Sequence, residues 1–346
     1  MAARTPAHGV DVLVVSLGST PGLRAADAEL ARGLQAAGAS VALAAAAPPR
    51  PVRTLMLTDL GWARAARAAA LSGLAEHGGA RAVVYCTTTA ALLWPRAGAI
   101  RFDAPAAANR PGRHGLWQRP LERRRLRAAP LLLPSSEGAL AELPAGAGGA
   151  AARALVLPVP VEPSGPPAPE RDIAAITYGA NPEKKGLDRV LAAWRALRAQ
   201  RPPGEQLVVA GVGAGELAAA GLVRAGEPGV QVTGLLDPSE YRALLRRARV
   251  FVCAPRREDY GVAQLEALAD GCRLVTTPAP GPYVALPIAR RLDARLVGED
   301  LSAALGAALE APAGDYADRA SRELVPFGRR AVDALIAGQL LARLLD

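Results

Sequence analysis

The sequence predicts an α/β protein built from two domains, each a doubly wound parallel sheet. Two patterns carry this expectation. Unbroken apolar runs of strand length alternate with helical periods, and a strand, glycine loop, helix, strand order starts on the near side of a proline-dense stretch, with a second α/β series beyond it. The third observation is length, since 346 residues exceed what one hydrophobic core usually serves.

Residues 10–17 read as a continuous apolar strand, followed by the loop Gly18-Ser19-Thr20-Pro21-Gly22 and a helix over 25–37 stopped by Gly38. Residues 41–47 supply the next strand, and 82–86 and 129–133 have the same fully buried character. Residues 158–169 are dense in proline and include Ser164-Gly165, so they propagate neither period and mark a linker over 161–170. The second unit then has strands at 173–178, 206–210, 230–233, 250–253 and 273–276, with helices at 187–199, 238–247 and 261–270. The expected domains are 1–160 and 171–327, and a last helix over 328–346 is expected to pack back across the first.

Composition narrows the function classes. Hydrophobic residues make up 51% and charged residues 21%, and no apolar run approaches the roughly 18 residues that cross a bilayer, so a soluble protein is expected. Asp11 interrupts the N-terminal apolar run, which leaves no secretory pattern and makes the cytoplasm the expected compartment. Cys86, Cys253 and Cys272 are scattered, fit a reducing environment, and read as small apolar fillers rather than a disulfide framework or a zinc motif. The net charge of +9 raises nucleic acid as a partner, but aromatics at 4% are too sparse for stacking platforms, and no nucleic-acid partner is expected. One basic cluster stands out, Arg110, Arg113, Arg119, Arg123, Arg124, Arg125 and Arg127, in a segment that also holds Trp117. It suits peripheral contact with an anionic membrane, or phosphates, and equally a solvated helix face.

The chemistry concentrates in the second domain. Glu258 falls in the loop after the strand at 250–253, and Glu266 on the next helix, about 40° around the axis from Val262 and so beside the apolar face. Carboxylates seldom sit there without a partner. Ala180-Asn181-Pro182-Glu183-Lys184-Lys185-Gly186 follows the domain's first strand and opens a helix, which puts Lys184 and Lys185 at an electropositive start suited to diphosphate, or simply in an exposed basic loop. Gly211-Val212-Gly213-Ala214-Gly215 is a strand-to-helix glycine turn without a placed acidic partner for a dinucleotide ribose.

Taken in this order, the segments resemble the retaining GT-B glycosyltransferases of family 4, through most of the second domain and more faintly in the first. Tyr178-Gly179 through Lys185-Gly186-Leu187-Asp188 is similar to that family's basic donor-phosphate motif, and Val232-Thr233-Gly234 to its base-side turn. Glu258 and Glu266, with Tyr260 and Gly261 between them, resemble its two glutamates separated by seven residues, and Thr276-Thr277-Pro278-Ala279-Pro280-Gly281 occupies its phosphate loop. The resemblance implies a GT-B fold of two Rossmann-like domains facing a central cleft, and transfer of a sugar from a nucleotide-diphosphate donor with retention of configuration. It implies that Lys185 holds the diphosphate, Glu258 the donor-sugar hydroxyls and Glu266 the ribose hydroxyls, with Gly18 and Ser19 approaching the phosphates from the first domain. Two positions depart from the pattern: Ala180 stands where the family has arginine, with Lys184, Arg256 or Arg257 as the candidate substitutes, and prolines stand where a glycine pair is common.

The loops corresponding to the family's acceptor side carry Asp103 and His114, the candidates there; Asp103 is alternatively a turn residue before Pro105, and His114 a solvated side chain. His8 lies near the terminus and His77 in a turn. Tyr85-Cys86-Thr87-Thr88-Thr89 ends a strand at the same rim, its hydroxyls facing a sugar or capping the next helix. Sugar transfer needs hydrogen-bond acceptors for sugar and ribose hydroxyls and cations for the leaving diphosphate, which carboxylates and lysine supply. Lysine and helix amides can replace a divalent ion in that role, so no metal and no cofactor beyond the nucleotide-sugar substrate is expected. The acceptor is a sugar, a lipid or a small molecule. The alternatives are a sugar-nucleotide epimerase of the same fold and a non-catalytic nucleotide-sugar-binding protein.

Overall fold

The computed structural model describes residues 9–110, 112–144, 149–166, 168, 170–311 and 314–346, so His8 and residues 167 and 169 of the proline-dense stretch lie outside the described residues. The chain divides into two units, 1–160 together with 329–346, and 161–328. Among the described residues no helix is long and apolar enough to cross a membrane.

In unit 1, β1 (Val10–Ser16), β2 (Val41–Ala45), β3 (Ala80–Tyr85), β4 (Ala99–Phe102) and β5 (Leu132–Pro134) form a parallel sheet in the order β2-β1-β3-β4-β5. Val12, Leu13, Val14 and Val15 are at most 1% exposed, which suits β1 to its place between β2 and β3. The helix after β1 spans Pro21–Ala36 and opens earlier than the apolar period suggests. Thr20 caps it, Oγ1 accepting from the Leu23 amide at 3.2 Å, and Pro21 fits a first turn that needs no amide donor.

Strand β4 and the helix Leu55–Glu76 escape the sequence reading for different reasons. The apolar run of β4 is broken by Arg101. That residue is buried: its NH1 donates to Asp27 Oδ1 and to the Ala26 carbonyl, both at 3.1 Å, and Ser16 Oγ donates to Asp27 Oδ2 at 2.5 Å. Burial pushes the Asp27 carboxyl up, against the pull of Arg101 and Ser16. The helix Leu55–Glu76 is alanine-rich and offers no single apolar stripe, although Ala63, Ala66 and Ala70 are fully buried. The strand read at 129–133 begins instead at Leu132.

Residues 329–345 form a helix in three consecutive parts, Arg329–Leu335, a π-helical Ile336–Leu340, and Leu341–Leu345. Val332, Ile336 and Leu340 enter the same buried cluster as Val12, Val14, Leu30 and Leu34, so this helix completes the core of unit 1. Gly33 makes the approach possible, because a Cβ there would lie 2.5 Å from Ile336 Cδ1. Arg32 pairs with Asp333 at 2.8 Å, and Arg329 with Glu29, at the rim of that contact.

In unit 2, β6 (Ile173–Tyr178), β7 (Leu207–Ala210), β8 (Val230–Gly234), β9 (Ala248–Cys253) and β10 (Arg273–Thr276) form a second parallel sheet in the order β10-β9-β6-β7-β8. The helix Pro238–Arg247 begins where its capping box places it, with Glu240 Oε2 accepting from the Asp237 amide at 2.9 Å. The chain builds from β6 out to β8 and then returns to β9 on the other side. Strand order therefore reverses between β6 and β9, and the carboxyl ends of these strands form the switch point at which open parallel sheets bind ligands.

Candidate functional site

Loops leave the switch point after β6 and after β9, and backbone contacts bind them into one site. After β6, Asn181 is left-handed (φ 56°), and its Oδ1 accepts from the Lys184 amide at 3.2 Å. This turn starts the short helix Pro182–Lys185, which ends at Gly186 (φ 62°). A Cβ at Gly186 would lie 1.9 Å from the Ala254 carbonyl oxygen, so only glycine lets this loop lie against the end of β9. The Arg256 amide donates to the Lys184 carbonyl at 2.9 Å.

Each lysine meets a carboxylate of the second loop. Lys184 Nζ donates to Asp259 Oδ2 and Lys185 Nζ to Glu258 Oε2, both at 2.7 Å. Asp259 also accepts from Arg257 Nε at 2.8 Å. Burial pushes the Asp259 carboxyl up, and Lys184 and Arg257 outweigh it, leaving the group below the ordinary aspartate value. Arg256 is engaged by Asp188, at 2.9 and 2.7 Å. The cations near the departure at Ala180 are thus paired with carboxylates of the same unit.

Glu258 is 5% exposed and its backbone is fixed: its amide donates to the Pro280 carbonyl at 3.1 Å, and Gly281 (φ 108°) leaves room where a Cβ would lie 2.3 Å from the Glu258 carbonyl oxygen. Its Oε2 accepts a second bond, from Gln264 Nε2 at 3.0 Å, while Oε1 has no hydrogen-bond partner among the described residues. One oxygen is held twice and the other is open to a hydroxyl donor. Behind Gln264, Cys253 Sγ donates to Thr276 Oγ1 at 3.2 Å, and Thr276 Oγ1 lies 2.8 Å from Tyr283 Oη. Burial pushes the Cys253 thiol and the Tyr283 phenol up, so both act as neutral hydrogen-bonding groups, and Cys253 is more than an apolar filler. The Tyr283 ring also underlies Gly261 (φ 93°), where a Cβ would lie 3.0 Å from it, and the carbonyl of the buried Tyr260 accepts from the Val284 amide at 3.1 Å.

Glu266 lies on the helix Val262–Ala269 with its side chain 27% exposed and Oε1 3.6 Å from Arg242 NH1. Arg242 holds Asp270 more closely, Nε to Oδ2 at 2.6 Å. Burial raises the Glu266 carboxyl above its ordinary value; Arg242 opposes the rise and the Asp270 charge adds to it. Burial and the Glu266 charge together raise the phenols of Tyr178 and Tyr241, whose ring centroids are 5.2 Å apart. Gly234 (φ 79°) ends β8 with its carbonyl accepting from the Gly211 amide at 2.8 Å and open space beside its Cα.

The candidates in unit 1 are arranged differently. Gly18 (φ 59°) accepts from Arg24 NH1 at 2.8 Å through its carbonyl, and Ser19 is exposed. Asp103 is exposed after β4, its Oδ1 accepting from the adjacent Ala104 amide at 3.0 Å in the manner of a turn residue. His114 is exposed in the 3-10 turn Gly112–Gly115, its side chain without a hydrogen bond among the described residues. Tyr85 does not face a rim: it is fully buried, its hydroxyl donates to the Arg96 carbonyl at 2.8 Å, and burial pushes its pKa up to about 12. Thr87 caps the next helix, Oγ1 accepting from the Ala90 amide at 3.0 Å.

Sequence reasoning misses Asp259, Gln264, Arg242 and Tyr283. Gln264 alone leaves a visible trace, a polar residue in the otherwise apolar run of Val262, Ala263 and Leu265. Among the described residues no group of three or more His, Cys, Asp or Glu is placed to hold a metal ion.

The family of glycosyl transferases group 1 matches residues 172–311, the part of unit 2 that holds both lysines and both glutamates. No curated protein matches the chain. Solved structures resemble it over nearly all its length. WaaG, a glycosyltransferase involved in lipopolysaccharide biosynthesis, is 18% identical over 94% of this chain and 99% of that one, with a TM-score of 0.68. The E. coli trehalose-6-phosphate protein bound with UDP-2-fluoro glucose is 14% identical over 96% and 99%, with a TM-score of 0.67. An α,α-trehalose-phosphate synthase (UDP-forming) from Burkholderia xenovorans, in complex with glucose-6-phosphate, is 14% identical over 96% and 99%, with a TM-score of 0.65. The fold shared with these proteins is GT-B, two α/β units each built on a five-stranded parallel sheet.

Proposed function

We propose that the protein is a group 1 glycosyltransferase of the family 4 type, moving a sugar from a nucleotide-diphosphate donor to a sugar, lipid or small-molecule acceptor with retention of configuration and without a metal. The observation that carries this reading is the Glu258 carboxylate, fixed through Oε2 by Lys185 and Gln264 and open at Oε1, at the switch point of the sheet within the matched segment. A carboxylate held in this way is ready to accept hydrogen bonds from donor-sugar hydroxyls. Glu266 is assigned to the ribose hydroxyls, Gly234 to the base side, and Tyr260, Gly261 and Gly281 to the walls of the donor site.

As the bond from the anomeric carbon to the phosphate oxygen breaks, negative charge gathers on the leaving diphosphate, and cations placed beforehand lower the barrier most. Lys184 and Lys185 are the groups assigned to it, exchanging their carboxylate partners for phosphate. In the retaining mechanism the departing phosphate oxygen can take the acceptor's proton, so no dedicated protein base is required. Gly18 and Ser19 are assigned to the phosphates, and Asp103 and His114 to the acceptor. The scattered, buried thiols of Cys86, Cys253 and Cys272 fit a cytoplasmic setting, and peripheral contact with an anionic membrane through residues 110–127 belongs to the same reading.

The UDP-2-fluoro glucose and glucose-6-phosphate held by two similar proteins make UDP-glucose and a hexose phosphate the first pair to assay, beside GDP- and ADP-glucose, in the presence of a chelator. The expected result is release of nucleoside diphosphate, lost in Glu258→Ala, with an axial anomeric product by NMR. An equatorial product would remove retention, and a requirement for added divalent ion would remove metal independence. Saturable donor binding without transfer or hydrolysis would favour a non-catalytic binder, the reading to which Ala180 and the carboxylate-paired cations lend support. A changed sugar released without any acceptor would indicate an epimerase.

A further inference from the structure

Unit 1 carries an apolar and basic surface that the donor chemistry does not use. Residues 50–57, Arg-Pro-Val-Arg-Thr-Leu-Met-Leu, are all exposed, with Val52, Leu55, Met56 and Leu57 at 45, 50, 36 and 47%. Leu55, Met56 and Leu57 form the first turn of the helix Leu55–Glu76, where three consecutive exposed large side chains serve no core. The turn Gly112–Gly115 contacts this helix, and Arg110 locks the two together through Asp59, Nε to Oδ2 at 2.6 Å and NH2 to Oδ1 at 2.9 Å. Beyond that turn Leu116 is 63% exposed.

The charge exposed on this surface is of one sign. Residues 50–62 and 110–128 contain two carboxylates, Asp59 and Glu122; both are buried, one held by Arg110 and the other accepting from the Ala106 amide at 2.8 Å. The exposed charged side chains of the two segments are all arginines; Arg50 and Arg53 flank the leucines in sequence, and Arg113 lies in the turn that contacts their helix. Large apolar side chains amid exposed arginines, with the segments' own carboxylates turned inward, match the boundary of an anionic bilayer, where aliphatic groups reach the acyl chains and guanidinium groups remain with the phosphates. Nucleic acid would use the arginines but leave five large apolar side chains in water.

We infer that this surface docks the protein on anionic lipid, with Leu55, Met56, Leu57 and Leu116 as the inserting anchor and the flanking arginines as its electrostatic complement. The inference deepens the membrane contact of the proposed function and does not depend on the donor site. It is tested with the full chain by co-sedimentation with vesicles of phosphatidylcholine alone and of phosphatidylcholine with phosphatidylglycerol. Retention is expected only on the phosphatidylglycerol vesicles and is expected to weaken with salt. The exposed-site variant Leu55→Ser/Leu57→Ser is expected to reduce affinity roughly tenfold or more with unchanged circular dichroism. Arg50→Ser/Arg53→Ser/Arg113→Ser is expected to reduce it on the order of 10²-fold.

Absence of retention at low salt overturns the proposal, and so does retention that the leucine variant leaves unchanged. So does a wild-type dimer that becomes a monomer in the leucine variant without any vesicle binding, which would assign the surface to a second copy. Equal binding of wild type and leucine variant to a DNA duplex, without vesicle retention, would assign it to nucleic acid.

Discussion

The orientation of Glu258 rests on two side chains from different elements, Lys185 at 2.7 Å and Gln264 at 3.0 Å. If Lys185 turns to the donor phosphates, Gln264 becomes the remaining restraint. Gln264→Leu is therefore expected to lower kcat by roughly ten- to a hundredfold, since small misplacements at a reacting centre cost about that much. Binding of the nucleoside diphosphate alone is expected to stay unchanged; weakening of that binding by the same factor would show a general disturbance instead. Glu266 gives a pH prediction. Burial raises its carboxyl above the ordinary 4.5, so protonation begins at higher pH than for a free glutamate, and donor affinity is expected to fall as pH drops through that raised value. Glu266→Gln is expected to bind more weakly at neutral pH and to lose this acid limb in calorimetric titrations.

Packing between elements is testable in the same way. Ile336 fills the space above Gly33, and Ile336→Ala is expected to cost about 2–5 kcal/mol in urea unfolding. Gly33→Ala is expected to destabilise the wild type but to cost less in the Ile336→Ala background, where the new methyl group meets a cavity; additive costs would contradict this packing. How legible an element is depends on what its residues do. Strands β6 and β10 and the helix Pro238–Arg247 can be read because their apolar runs and caps are local. β4 cannot, because Arg101 interrupts it and its partner Asp27 is remote in sequence. In the site, the spacing of Glu258 and Glu266 is visible, whereas the pairing of Lys185 with Glu258 across the loops after β6 and β9 requires the fold.

For the whole molecule, the groups assigned to the donor's sugar, ribose and base lie in unit 2, while the proposed lipid-facing surface, like Gly18 and Ser19, lies in unit 1. Hydrogen exchange with saturating nucleoside diphosphate is expected to slow amides at 179–186, 256–266 and 279–284, and to leave 50–57 unchanged. Anionic vesicles are expected to give the converse, and protection of 50–57 by nucleotide alone would contradict the separation of the two roles.

The helix Arg329–Leu335 and its continuation have a consequence for biosynthesis. Val332, Ile336 and Leu340 complete a core begun by Val12 and Val14, yet all of unit 2 is translated between them. Unit 2 can close on the ribosome as an uninterrupted segment, while the earlier-made half waits with an apolar seam uncovered. The nascent protein is thus most exposed to chaperones and proteases through the portion synthesised first, reversing the usual order of maturation along a two-domain chain.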